Sequence, residues 1–195
     1  MNTCFTSFVL AGSDDVARSV HDALQSSRAR RGESGGSFYP RLSDVLGGIG
    51  VEAPGCSRAE VYDYEYLAKD GTIRISTEGS FPLEGMKALK DAFPGLVVRY
   101  CAECFEDDIY ESNDMEGAFF SSRYALDFET SVYPEGDPVE YFDDDSSFLA
   151  FVKEHFTLDY ACVDDLLAHL DEDLQELDED AFVSIHKMDF VEDLR

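Results

Sequence analysis

The chain has 195 residues, of which 44% are hydrophobic and 13% aromatic, and its formal net charge at pH 7 is -27. This apolar content lies above the range of disordered acidic chains, so we expect the protein to fold around a core. The charge excludes direct binding to nucleic acid as a main activity, because the field of the whole protein repels phosphates.

The negative charge is concentrated in the second half of the chain. Residues 1–100 contain 13 Asp and Glu against 11 Lys and Arg, whereas residues 101–195 contain 29 against 4. A salt-adapted protein is expected to spread its acids over both halves. Repulsion on this scale opposes a compact state, so the segregation predicts a positively charged partner.

The first elements along the chain are predicted to be a strand and a helix. Cys4 to Leu10 is apolar enough for the strand, and Ser13 is placed to cap a helix with apolar residues at helical spacing. The polar stretch from Gln25 to Gly36, basic around Arg28 to Arg31, predicts a loop. A short helix is predicted next, at about 39–46.

A hairpin and a second helix follow. Ala59 to Leu67 and Thr72 to Thr77 are predicted antiparallel strands, joined at the turn-forming step Asp70-Gly71. Pro82 suits the first turn of a helix that Pro94-Gly95 ends. Another strand is expected directly after that helix.

The remaining predicted elements of the first domain are an acidic turn and one more strand. Glu106 to Glu116 is predicted as an acidic turn and Gly117 to Phe128 as a further strand. The order β-α-(α)-β-β-α-β-β contains the ferredoxin-like split βαβ motif. We therefore predict an α+β fold over residues 1–130, in which an antiparallel sheet carries helices on one face and the last strand extends its edge.

The composition changes near residues 134–138, and residues 131–195 are predicted to form an acidic, mainly helical extension packed on the first domain. Ser146 or Ser147 is expected to cap one helix, and Thr157 to open another. The final stretch is predicted to be either an edge strand or a terminal extension.

The helix predicted near residues 160–177 has two contrasting faces. Its apolar residues form one stripe at steps of mostly three and four residues: Val163, Leu166, Leu167, Leu170, Leu174 and Leu177. Acids fill most other positions, and no Lys or Arg occurs between residues 154 and 186. Together with two shorter acidic clusters, they give the predicted partner-binding residues: Asp107, Asp108, Asp143, Asp144, Asp145, Asp164, Asp165, Asp171, Glu172, Asp173, Glu176, Asp178, Glu179 and Asp180.

Short motifs between residues 58 and 129 carry a family resemblance. They are Ala59-Glu60-Val61-Tyr62, Ile73-Arg74-Ile75-Ser76-Thr77, Ser80-Phe81-Pro82, Phe93-Pro94, Arg99-Tyr100, Glu103 and Gly117. This region resembles the YubB-type ferredoxin-like domain of plasmid and phage proteins, with Phe81 where that family has Trp. The resemblance implies a mobile-element origin. Plasmids and phages commonly encode small acidic proteins that block restriction or CRISPR nucleases by occupying the nucleic-acid channel.

Signals for catalysis and for metal binding are weak. Cys101 and Cys104 form the only CxxC, but a strand points them to opposite faces, and the five scattered cysteines predict free, mostly buried thiols. The four histidines accompany no nucleophile motif, and the acids lack the spacing of a calcium loop. We expect no cofactor, no metal and no enzymatic activity, a small acidic hydrolase being the remote alternative.

The sequence thus predicts an anti-defence protein of the anti-CRISPR kind, which mimics nucleic acid and binds the basic nucleic-acid-binding surface of a Cas effector. The alternative is a plasmid or phage accessory protein that recruits another protein through its ferredoxin-like sheet. No leader or membrane-spanning run is evident, so we expect a cytoplasmic monomer or small homo-oligomer without membrane contact.

Overall fold

In the computed structural model, which describes residues 3–34, 39–53, 55–133, 139–192 and 194, the chain is an α+β protein with five helices and two antiparallel sheets. It forms two compact units. Unit 1 comprises Met1–Phe120 with Phe190–Arg195, and unit 2 comprises Ser121–Asp189. The boundary expected at residue 130 falls inside unit 2, and the change of composition at 134–138 lies outside the described residues.

The strands divide between two sheets. They are β1 (Cys4–Ala11), β2 (Ala59–Leu67), β3 (Thr72–Gly79), β4 (Val97–Cys104), β5 (Ile109–Ser112), β6 (Tyr124–Glu129), β7 (Val139–Phe142), β8 (Phe182–Lys187) and β9 (Asp189–Phe190). The larger sheet has the order β2-β3-β1-β4-β5-β9 and the smaller one β7-β6-β8. The pairs from β2 to β5 and those of β6 with β7 and β8 are antiparallel.

The helices are α1 (Asp14–Ser34), α2 (Leu42–Gly48), α3 (Leu83–Ala92), α4 (Asp145–Phe156) and α5 (Val163–Leu177). The cap at Ser13 is confirmed, since its Oγ accepts the Val16 N–H at 3.4 Å. The loop predicted from residue 25 is wrong up to Ser34, because α1 continues through it. Arg30 Nε donates to the Ser26 carbonyl at 3.3 Å, so this basic side chain is bonded within the helix.

Alternation along the strands divides the larger sheet into two faces. One face packs with α1, α2 and α3 in a core that includes Phe8, Leu10, Leu24, Leu46, Ile73, Ile75, Leu89, Val98 and Tyr100. Intervening residues such as Ser7, Val9, Arg74 and Ser76 therefore point to the opposite face. That second face is where polar side chains accumulate.

The acidic segment after β4 is more structured than predicted. Residues 106–116, expected to be a turn, contain β5, which pairs with β4 at the sheet edge. The next strand, β6, does not extend this sheet as predicted but is the middle strand of the smaller sheet. Asn113 explains part of the difference, because its side chain accepts the Tyr100 N–H at 2.8 Å and donates to the Val98 carbonyl at 2.9 Å, which continues the ladder along β4.

In unit 2, α4 and α5 pack through one apolar cluster that also includes β6. The buried members are Tyr124, Leu126, Phe128, Phe142, Phe148, Val152, Phe156, Val163, Leu166, Leu170, Leu174 and Ala181. Of the apolar stripe predicted on α5, Leu167 is half-buried and Leu177 is exposed at the last turn. The C-terminal stretch forms β8, so the smaller sheet is built from both ends of unit 2.

The starts of α4 and α5 differ from those predicted. Asp144, rather than Ser146 or Ser147, caps α4: its carboxylate accepts the Ser147 N–H at 2.8 Å, while the Ser147 hydroxyl accepts the Asp144 N–H. Thr157 does not open α5 but follows α4 with a positive φ of 60°. Cys162 occupies the capping position of α5.

The expectation that all five cysteines are free is wrong. Cys4 and Cys104 are 100 residues apart in the sequence but lie on the neighbouring strands β1 and β4. They form a disulfide with a Cα–Cα distance of 4.4 Å. Cys56 and Cys101 are free and buried, and Cys162 is free and exposed. Burial raises the pKa of the Cys56 thiol to about 11 and that of Cys101 further, so neither is a ready nucleophile.

We predict that Cys4→Ser lowers the free energy of unfolding by about 2–5 kcal/mol, because the disulfide closes a long loop in the unfolded chain. The measurement is urea unfolding of the oxidised protein, with and without reductant. Cys162→Ser is the matched control, since its thiol is exposed and unbonded. Equal midpoints for Cys4→Ser and the oxidised wild type would contradict the assignment.

Gly85 is required for the close approach of α3 to the turn that contains Cys56. A Cβ added at Gly85 would lie 2.0 Å from the Cys56 sulfur, whereas one added at Gly47 in α2 would meet nothing within 4 Å. The two glycines thus provide a matched pair for testing the packing.

We predict that Gly85→Ala lowers the free energy of unfolding by about 1–3 kcal/mol through overpacking. Gly47→Ala, by contrast, should raise it by about 0.5–1 kcal/mol, because Ala favours a helix. Adding Cys56→Ala to the Gly85→Ala variant removes the clashing sulfur and should recover stability. A double variant that recovers nothing would refute the proposed contact. The measurement is chemical unfolding of all four proteins.

Candidate acidic interface

Unit 2 carries most of the excess charge. Between residues 121 and 189 the sequence has 20 Asp and Glu against 3 Lys and Arg. One of these cations, Lys153, is paired locally with Asp159 at 2.8 Å. The remaining carboxylates therefore greatly exceed the positive charges available within the unit.

The helix α5 presents its acids opposite its core-facing side. Val163, Leu166, Leu170 and Leu174 are buried. Asp164, Asp171, Glu172 and Glu176 are exposed, whereas Asp165 and Asp173 are half-buried at the margins. The amphipathic pattern predicted from the sequence is confirmed, and it fixes the direction of these acids because the helix cannot rotate without exposing its leucines.

Five of the six acids of α5 lie in two rows along the helix. Asp165, Glu172 and Glu176 share one row, and Asp164 and Asp171 share the other, since residues seven or eleven apart return to nearly the same side. At about 1.5 Å of rise per residue, the seven-residue steps are roughly 10 Å long and the four-residue step roughly 6 Å. The result is a regular, helix-borne array of carboxylates.

His169 lies in the first of these rows. Its Nδ1 is 2.9 Å from the Asp165 carbonyl and 3.3 Å from the Asp165 carboxylate. The hydrogen bond to the Asp165 backbone, with the nearby negative charges, raises the pKa of His169. The row is therefore most negative at pH values well above this raised pKa, where the imidazole is neutral.

The acidic cluster at the start of α4 lies near the first turn of α5. The Tyr124 hydroxyl donates to Asp145 at 2.7 Å. Burial, this hydrogen bond and the charges of Asp145 and Asp164 together raise the pKa of Tyr124 to about 12. Acids from two of the three predicted clusters, Asp145 and Asp164, thus both act on the charge state of one tyrosine.

Several predicted interface acids have structural partners. Asp143 accepts the Ser121 hydroxyl at 2.9 Å, Asp144 caps α4, and Asp173 accepts the Tyr160 hydroxyl at 2.6 Å. The Tyr160 pKa is raised, first by burial and then by its bond to Asp173. These residues are poor candidates for partner contact alone, because replacing them also disturbs the fold.

Asp178 organises the turn after α5. Its Oδ2 accepts the Ser131 N–H at 2.7 Å, the Ser131 hydroxyl at 2.9 Å and the Thr130 hydroxyl at 3.0 Å, while its Oδ1 accepts the Asp180 N–H. These donors lower the pKa of Asp178 to about 2. The neighbouring Glu179 and Asp180 are exposed and continue the acidic surface beyond the helix.

The third predicted cluster belongs to unit 1. Asp107 and Asp108 are exposed in the turn before β5, where Asp108 has a positive φ of 55°. Among the predicted interface acids that the structure describes, five are exposed in unit 2 and have carboxylates that accept no hydrogen bond: Asp164, Glu172, Glu176, Glu179 and Asp180. Asp171 joins them with a single bond from Gln175 at 2.9 Å.

Other chemical classes find little support in the described residues. Among the described residues, no group of three or more His, Cys, Asp and Glu is placed to hold a metal ion, and Cys101 is not bonded to Cys104. A Ser184–His186 hydrogen bond of 3.1 Å on β8 was not predicted, because no sequence motif marks it. Within the described part of the chain, no helix is long and apolar enough to cross a membrane.

Comparison of the chain with protein-family models, with curated proteins and with solved structures finds no match. The resemblance of residues 58–129 to the YubB-type domain therefore stays a prediction.

We predict that Asp178→Asn destabilises the protein at pH 7, while Glu179→Gln, which removes the same charge from an exposed neighbour, does not. A carboxyl with a depressed folded pKa stabilises the fold above its unfolded pKa of about 4, and this contribution is lost as pH falls through the folded value. The difference in urea midpoint between wild type and Asp178→Asn should thus shrink from pH 4 towards pH 2. A pH-independent difference would contradict the role assigned to the charge.

Proposed function

We propose that this chain is an anti-defence protein of a mobile element, acting as an anti-CRISPR whose acidic unit 2 mimics nucleic acid and blocks DNA binding by a Cas effector. The partner is the basic, nucleic-acid-binding surface of that effector complex. The single observation that carries this proposal is the array of carboxylates that α5 holds in fixed rows, in a stretch without Lys or Arg. The inhibitor works by occupancy, so no covalent step or cofactor is involved.

The charge density of α5 supports the comparison with a nucleic-acid strand. Six Asp and Glu lie within its 15 residues. At about 1.5 Å per residue, this is roughly one carboxylate per 4 Å of axis, against about one phosphate per 3.4 Å for each strand of B-DNA. Lys and Arg that neutralise phosphates would meet a similar linear density of anions here, which favours fast and salt-sensitive association.

The strand order of unit 1 supports a ferredoxin-like classification as part of the same proposal. β4, β1, β3 and β2 are adjacent in that order, with α1 between β1 and β2 along the chain and α3 between β3 and β4. This order agrees with the one expected for a split βαβ sheet with β5 added at the edge, which supports the classification. Together with the motifs of residues 58–129, it favours the YubB-type, mobile-element origin and a division into a ferredoxin-like domain and an acidic extension.

The alternative function is recruitment of another protein through the larger sheet. Phe5 and Tyr62, which are 45% and 39% exposed, face each other edge-on with ring centroids 6.3 Å apart. An exposed aromatic pair suits a protein contact that does not depend on the acids. Replacing both rings by alanine would remove this interaction and leave electrostatic inhibition intact.

We predict that Asp171→Lys, Glu172→Lys and Glu176→Lys combined in one variant abolish partner capture. Asp173 is left unchanged because it bonds to Tyr160. The measurement is a pull-down from host lysate, eluted with increasing salt, followed by a DNA-binding assay of the captured complex. The wild-type protein should release its partner steeply with salt and displace DNA from it.

The matched control reverses three exposed acids of unit 1, Glu52, Asp70 and Asp91, to Lys. It changes the net charge by the same amount, so loss of binding in the α5 variant alone assigns the effect to position rather than to total charge. Full inhibition by the α5 variant, or equal loss in both variants, would reject the mimicry mechanism. Circular dichroism of both variants verifies that they remain folded.

A further inference from the structure

A small pocket lies on the face of the larger sheet that does not pack with α1, α2 and α3. Its volume is about 250 Å³. Ser7 of β1 and Ser76 of β3 are opposite each other in the sheet register, and their hydroxyl oxygens are 3.3 Å apart. All residues that line this pocket belong to unit 1, so the inference does not rest on the function proposed for unit 2.

Charges of both signs line the pocket. Glu65 of β2 lies directly opposite Arg74 of β3, and Asp63 lies opposite Ser76. Asp63, Glu65 and Arg74 are exposed. Within the described part of the chain, none of these three side chains forms an ion pair or a hydrogen bond with any residue. Two carboxylates and one guanidinium therefore remain available to a bound molecule.

The backbone segment that carries the two phenyl rings of the pocket is fixed by hydrogen bonds. Phe119 and Phe120 line the pocket, and their backbone N–H groups donate to the same oxygen, Oδ2 of Asp114, at 2.7 and 2.9 Å. Asp114 is 3% exposed, and its own N–H donates to the Ser112 hydroxyl at 3.0 Å. A preorganised segment reduces the ordering cost of binding.

The size and charge pattern specify the ligand. Directly opposed residues of an antiparallel pair have Cβ atoms about 5 Å apart. The guanidinium of Arg74 and the carboxylate of Glu65 can therefore each bind one of two opposite charges on the same small molecule. A volume of about 250 Å³ lies below the usual 300–1,000 Å³ of pockets for drug-sized ligands, which disfavours a whole nucleotide. The phenyl rings add an apolar contact.

We propose that this pocket binds a free α-amino acid with a large apolar side chain. Arg74 receives the carboxylate of the ligand, Glu65 and Asp63 accept hydrogen bonds from its ammonium group, and Phe119 and Phe120 contact its side chain. The hydroxyls of Ser7 and Ser76 provide further hydrogen-bonding groups at the pocket surface.

Isothermal titration of the full-length protein with L-phenylalanine and L-leucine tests this proposal. Saturable one-to-one binding of at least one of them is expected. Phenethylamine, which lacks the carboxylate, and 3-phenylpropionate, which lacks the ammonium group, should each bind at least tenfold more weakly than L-phenylalanine. Amide shifts of Phe119 and Phe120 in the NMR spectrum should report the ligand at the pocket.

The Arg74→Gln and Glu65→Gln variants should each lose at least tenfold in affinity, whereas Lys87→Gln, an exposed control on α3, should bind like wild type. Thermal unfolding verifies that each variant is folded. If Arg74→Gln is unfolded, Arg74→Lys replaces it in the titration, because Lys keeps the positive charge but lacks the planar guanidinium. Absence of binding by both amino acids, unchanged affinity in the Arg74 variant, or tighter binding of guanosine monophosphate would overturn the proposal.

Discussion

Apolar burial among β6, α4 and α5 holds unit 2 together against the repulsion of its own carboxylates. Two charges 10 Å apart in water repel by about 0.4 kcal/mol before salt screening, whereas burying one Leu or Phe side chain contributes about 1.5–3 kcal/mol. The cluster contains Phe148, Phe156, Leu166 and Leu170 among its fully buried members. Each buried side chain thus offsets several screened pair repulsions, and a helix as acidic as α5 can be stable provided that its acids stay outside the core.

The same unit stabilises individual carboxylates with neutral donors instead of cations. Asp144 accepts a helix N-terminal amide, Asp145 and Asp173 accept tyrosine hydroxyls, and Asp178 accepts two amides and two hydroxyls. Such hydrogen bonds fix the positions of the carboxylates but leave their negative charge in place, whereas a salt bridge would neutralise it. The field outside the unit is thus preserved, which is the property that a mimic of nucleic acid needs.

The sequence could predict elements with a strong period or a strong turn signal. The Asp70-Gly71 hairpin and the apolar stripe of α5 were predicted for those reasons and are present. Elements whose signal lies in tertiary contacts were missed. β5 is four residues long within an acidic stretch, and the Cys4–Cys104 pairing depends on two strands that meet only in the folded sheet.

The two candidate sites differ in the same way: the sequence predicts one of them, and only the folded structure reveals the other. The exposed acids of α5 follow from the helical period, so the sequence was enough to name them. The sheet pocket was not predictable, because it joins residues from β1, β2, β3 and the turn after β5. Its polar residues are individually unremarkable in the sequence, and the roles of Arg74 and Glu65 depend on a register that only the folded sheet defines.

Net charge links the two proposals. Unit 2 carries -17 over 69 residues, and unit 1 carries -10 over 126, so the field is negative over both but far denser over unit 2. A polyanion or a nucleotide approaching the sheet pocket works against this field, whereas a zwitterion with no net charge does not. Neither the zwitterion inferred for unit 1 nor the basic partner proposed for unit 2 is therefore repelled by the negative field of the chain.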